Sequence, residues 1–142
     1  MLIDMPLQLP SNFEDYPRKS DLKAKKILGN RHSCIFYAPM IPWLTQDLES
    51  INAECQIQNK PKLSRQSFNL FPKIFECQTI KPSYLIKEHH PELIFLHYNF
   101  DKTLHSKHQA VGIQERTQLI ENVAQAYEIK MPKEWLNSTS TY

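Results

Sequence analysis

The sequence predicts an α+β fold: a single small domain in which a mixed or antiparallel sheet of about four to five strands carries two main helices packed on it. Three observations lead there. Short runs of β-branched and aromatic residues recur at 33–38, 74–79 and 92–100. Two stretches, 43–57 and 114–128, repeat apolar residues at the 3.6-residue period of an amphipathic helix. The chain has 142 residues, 41% of them hydrophobic and 23% charged, enough for one core without metal or disulfide staples.

Taken in order, residues 1–17 hold Pro6, Pro10 and Pro17, which deny this stretch a helix and make it an extended arm. The main domain spans 18–136. Within it, Lys26, Ile27 and Leu28 lead through Gly29-Asn30 to a strand at 33–38 that Pro39 stops, a hairpin pattern. Leu44, Leu48, Ile51 and Cys55 then fall at i, i+4, i+7 and i+11, one stripe down the helix at 43–57. Alternation of Ile74, Glu76 and Gln78 with Phe75, Cys77 and Thr79 predicts a half-buried strand. A short strand is predicted in 83–88 as well. Residues 92–100 are apolar on one strand face and mostly apolar on the other, the pattern of a central strand. The helix at 114–128 turns Leu119, Ile120, Val123, Ala124 and Tyr127 inward, Pro132 closes it, and 137–142 form a frayed tail.

Composition excludes several chemistries. The two glycines, Gly29 and Gly112, lie in no glycine-rich loop, so neither a phosphate-cradling loop nor a dinucleotide-binding turn is present. No serine occupies a nucleophile elbow. Cys34, Cys55 and Cys77 are an odd, widely spaced set, which predicts free thiols in a reducing compartment. The opening MLIDMPLQLP has neither the basic nor the apolar region of a secretory signal, and no apolar run reaches membrane-spanning length. The expected location is cytoplasmic, away from any membrane.

Three groups of residues remain as candidate sites. His97, Asp101, His105 and His108 fall within twelve residues at the end of the predicted central strand, and zinc is the ion such a set would take. The bland alternative is a half-buried His97, an N-cap Asp101 and two exposed histidines, and it carries more weight. Asp47, Glu49 and Glu54 leave the outer side of helix 43–57 acidic with no base to offset it, a surface for a protein partner. Arg18, Lys19, Lys23, Lys25, Lys26 and Arg31 face Asp21 alone in one segment; Lys60, Lys62 and Arg65 face no acid in another. With Tyr16, Phe36, Tyr37, Phe68 and Phe71 beside them, these are the ingredients of a single-stranded nucleic-acid surface. Only four of the 17 basic residues are arginine (Arg18, Arg31, Arg65, Arg116), which argues against base-specific reading.

The favoured expectation is a non-catalytic cytosolic adaptor or regulatory module that binds another protein and needs no cofactor. A nucleic-acid-binding regulator using 18–31 and 60–73 comes second. A metal-dependent hydrolase at 97–108 comes third.

Overall fold

The computed structural model describes residues 2–79 and 86–130, and they are mostly helical. Helices α1 (Lys19–Leu28), α2 (Leu48–Ile57), α3 (Arg65–Asn69), α4 (Phe71–Thr79), α5 (Pro91–Tyr98) and α6 (Ala110–Ala126) are joined by 3-10 turns at Gly29–Cys34 and Ile41–Thr45. Extended pairing among the described residues is confined to β1 (Leu2–Ile3) beside β2 (Lys87–Glu88), parallel, with Leu2 opposite Lys87 and Ile3 opposite Glu88. The α+β expectation, with its sheet of four to five strands, is therefore overturned. The chain divides into two compact units, residues 1–91 and 92–142. Pro82, the first part of the predicted 83–88 strand, Pro132 and the 137–142 tail lie outside the described residues.

Each overturned strand has a physical reason. In 71–79 the buried residues are Phe71 and Ile74, three apart on a helix, so the alternation read there was a coincidence of composition. Residues 92–100 form α5 instead, with Pro91 at its first position, where a missing N–H costs nothing. A short continuous apolar run cannot by itself distinguish a strand from a helix, and leucine favours the helix. Gly29, at φ +51, ends α1 in a left-handed conformation; it terminates a helix and turns no hairpin. Beyond it Ile35 and Met40 do have extended backbones, yet no ladder forms. The Ala38 N–H donates to the Asp21 carboxylate (3.0 Å) and the Ile41 N–H to the Pro10 carbonyl (2.9 Å).

The first unit is built around aromatic packing. Trp43 is 0% exposed, and Tyr16 meets it edge-on with ring centroids 4.7 Å apart. Met40, Leu48, Ile51, Cys55, Leu63 and Phe71 complete the cluster. Helix α2 presents Leu48, Ile51 and Cys55 to it, as the periodicity requires. Asp47 caps α2, accepting from the Glu49 and Ser50 N–H groups. On the other side of the unit Arg18 acts as a hub. Its guanidinium donates to both oxygens of buried Asp21, to both oxygens of Glu88 (2.9 and 2.7 Å) and to the Gln8 carbonyl (2.9 Å). Burial opposes the charge on Arg18, but the hydrogen bonds to Glu88 and Asp21 outweigh it and raise its pKa.

The second unit has a different basis. Its buried residues are Leu96, Leu104, Gly112, Arg116 and Ala124. Of the predicted stripe Leu119, Ile120, Val123, Ala124 and Tyr127, Ala124 is buried and Leu119 and Val123 half-buried, but Ile120 and Tyr127 face solvent while Arg116 is buried. Arg116 lies over the Phe95 ring (5.4 Å to the centroid) and grips both Glu92 oxygens at 2.9 Å.

Three helices end alike. Lys60, Asp101 and Ile129 donate their N–H groups back to Cys55, Leu96 and Ala124, with Asn59, Phe100 and Glu128 at positive φ just before them. Glycine is the usual residue there, and this chain has almost none to supply.

Candidate functional site

The four residues proposed for a metal occupy separate local environments. His97 is exposed on the last turn of α5, its ring 5.4 Å from that of Tyr98. Asp101, at φ +60, closes the end of α5 through its N–H, so it caps the helix before it and not the one after. His105 turns to Glu115: its N–H donates to Oε2 (2.8 Å) and its Nδ1 lies 2.7 Å from Oε1. The His108 N–H approaches the Ser106 hydroxyl at 3.4 Å. Among the described residues no three His, Cys, Asp or Glu side chains stand together as a metal site would require.

What organises 99–109 is a set of residues the sequence reading passed over. The His105 N–H, then its ring, hold the Glu115 carboxyl below the usual carboxylate range. Arg116 donates to the carbonyls of His105 (2.9 Å) and Gly112 (2.7 Å). Gly112 lets the loop approach: a Cβ there would stand 2.1 Å from the Ser106 carbonyl oxygen. The available signal was an arginine inside a helical repeat, with Glu92 upstream to neutralise it.

The second basic segment bonds to Tyr16, two residues before the first. Lys60 Nζ donates to the Tyr16 carbonyl (2.8 Å), and the Tyr16 hydroxyl donates to the Pro61 carbonyl (3.0 Å). Much of the predicted cationic surface is nonetheless spent internally. Arg18 is the hub already described; Lys25 bonds the His32 carbonyl (3.2 Å) and covers the Tyr37 ring (4.7 Å). Arg31 contacts the Cys34 sulfur at 3.3 Å. Lys19, Lys23 and Lys26 remain exposed at i, i+4 and i+7 of α1. Of the aromatic residues, Tyr16 and Phe71 are core, and burial pushes the Tyr16 phenol well above its ordinary value.

The acidic helix face is similarly reduced. Asp47 is committed to its cap, with the Ser50 N–H holding its pKa down, and Glu54 accepts the Trp43 indole N–H at 2.9 Å. Glu49 is left to face outward. It lines an open depression of about 370 Å³ with Leu48, Asn52, Ala53 and Gln56 of α2 and, opposite them, Lys62 and Arg65. Cys34, Cys55 and Cys77 are all free thiols, and burial raises the pKa of Cys55.

Large apolar side chains are exposed in both units, and among the described residues of the second they outnumber the buried apolar ones. Tyr98, Phe100 (88% exposed), Val111, Ile120, Tyr127 (67%) and Ile129 all face solvent, against Leu96, Leu104 and Ala124 buried. Among the described residues no helix is long and apolar enough to cross a membrane.

A family model described as "Protein of unknown function (DUF429)" matches residues 1–139. No curated protein and no solved structure matches the chain.

Proposed function

We propose that this chain, which belongs to the DUF429 family of proteins of unknown function, is a cytosolic module that works by binding another protein. One observation carries the reading: among its described residues the second unit exposes six large apolar side chains, Phe100 and Tyr127 foremost, against three apolar ones buried. Apolar surface on that scale is costly in water and marks a site of association. Of the acidic residues first offered for this role, Glu49 keeps a disengaged carboxylate; Asp47 and Glu54 serve α2 and Trp43.

The test is quantitative capture from the native lysate by the full chain and by a Phe100→Ser, Tyr127→Ser double variant. A stoichiometric protein partner retained at high salt and lost in the variant, with an unchanged circular dichroism spectrum, is the expected result. Equal capture by both forms would overturn it.

A second reading, nucleic-acid binding, has its own support in the three exposed lysines of α1 and in the Tyr16–Lys60 and Tyr16–Pro61 bonds, which tie the second basic segment to the residue two before the first. It predicts capture that is nuclease-sensitive and falls steeply with salt. Lys19→Gln, Lys23→Gln and Lys26→Gln would abolish that capture together, and an unchanged salt slope would exclude it.

A further inference from the structure

The depression beside α2 is prepared for a ligand. Its two walls are locked together: Asn52 accepts the Leu63 N–H at 2.8 Å and donates to the Leu63 carbonyl at 3.3 Å. Ser64 then caps α3, its hydroxyl accepting the Ser67 N–H at 3.0 Å. Lys62 and Arg65 flank this fixed pair of residues, so their Cα positions relative to α2 are set before any ligand arrives, which lowers the cost of binding. Among the described residues neither cation has an acidic partner; Arg65 only covers the Phe68 ring at 5.7 Å. The Glu49 carboxylate and the Gln56 amide, across the depression, also lack hydrogen-bond partners among the described residues. Leu48 and Ala53 supply the apolar part of the lining.

We infer that this depression is a binding site for a small zwitterion of the amino-acid or short-peptide class. Arg65 and Lys62 take its carboxylate, Glu49 takes its ammonium group, and Gln56 offers a further amide contact. The mixed charge decides the class. Arginine's planar fork matches a carboxylate or a phosphate alike, but Glu49 repels a polyanion and attracts an amine. The depression, about 370 Å³, is open and its lining is more polar than apolar, which suits a small polar ligand held by its charges. The site lies wholly in the first unit and does not depend on the protein-binding reading, which rests on the second.

The experiment is an amide NMR titration of the full chain with three probes: the dipeptide alanyl-glutamate, its N-acetylated form and inorganic phosphate. The free dipeptide is expected to give saturable shifts at Asn52, Leu63 and Arg65. Arg65→Gln weakens that binding about tenfold or more. Glu49→Gln weakens binding of the free dipeptide and leaves the acetylated one unchanged. Both residues are exposed, and an otherwise unaltered amide spectrum confirms that the variants fold. Two results would overturn the inference: acetylated dipeptide or phosphate binding as tightly as the zwitterion, which marks a plain cationic patch, or dipeptide shifts indifferent to both substitutions.

Discussion

The two units of this chain hold themselves together by opposite means. Residues 1–91 enclose a cluster of aromatic and aliphatic side chains around Trp43, with the Arg18–Asp21–Glu88 charge network as a second, separate element. In 92–130 the central side chain is charged: Arg116, 9% exposed, ties α5, α6 and the 99–109 loop together through Glu92 and two backbone carbonyls. An apolar core tolerates small losses of fit, because its contacts are many and individually weak. A core built on one cation does not, since every bond it makes depends on the same guanidinium. The lesson is that the second unit gains a defined geometry from Arg116 but little spare stability, consistent with the apolar surface it leaves in water.

Substitutions at the two centres give the largest effects. Trp43→Ala should cost about 3–5 kcal/mol, read as a lowered denaturation midpoint with the amide protection of α6 unchanged. A matching loss of protection in α6 would show that the units are not independent. Arg116→Leu should cost about 3 kcal/mol, because it strips the bidentate partner from a half-buried carboxylate; its effect should fall on 92–130 alone. Gly112→Ala comes next, at roughly 2 kcal/mol. Its Cβ meets main chain at Ser106, so the loop must shift, and the amide shifts of 104–109 are the readout.

The pH dependence sharpens the same contrast. The Glu115 carboxyl is held below its ordinary range by His105, so its contribution is full above the unfolded value of about 4.3 and is lost as pH falls through the lower, folded one. Acid should therefore free the 99–109 loop, and by the same linkage the Asp47 cap of α2, while leaving the Trp43 cluster in place. Tyr16 is shifted the other way by burial: its contribution is full below about pH 10 and declines as pH rises further. Alkali should loosen the first unit first. Hydrogen exchange followed separately in the 99–109 loop and the Trp43 cluster across both ranges checks the order, and a common midpoint for the two would refute it. The smallest expected effect is a gain: Glu128→Gly relieves a left-handed φ of +53 at the end of α6 and should raise stability by up to about 1 kcal/mol, seen as a higher melting temperature.

How much of this was readable from the sequence differs along the chain. Helix α2 was legible because Leu48, Ile51 and Cys55 repeat at the helical period, and all three are buried. The strands were misread where local pattern is ambiguous. Residues 93–96 are an unbroken apolar run, and 71–79 happen to alternate, so only tertiary packing decides between helix and strand. The predicted strand at 33–38 does not form: Ser33 and Cys34 close a 3-10 turn, and beyond them the Ala38 and Ile41 N–H groups find Asp21 and Pro10, partners that local sequence cannot name. The candidate site was legible as a list of charged residues. Which of them are spent internally was not, because Arg18 meets Glu88 and Lys60 meets Tyr16 across 70 and 44 positions of chain.

The Arg18–Glu88 contact also has a meaning in time. A ribosome adding about 5–20 residues per second needs roughly four to fourteen seconds to pass from one residue to the other. For that interval Arg18 has Asp21 and the Gln8 carbonyl but not the Glu88 carboxylate, and the N-terminal arm has no β2 to lie against. The first unit is thus completed late, from its far end, and a pause in translation before codon 88 prolongs the period in which the Arg18 guanidinium lacks its second carboxylate.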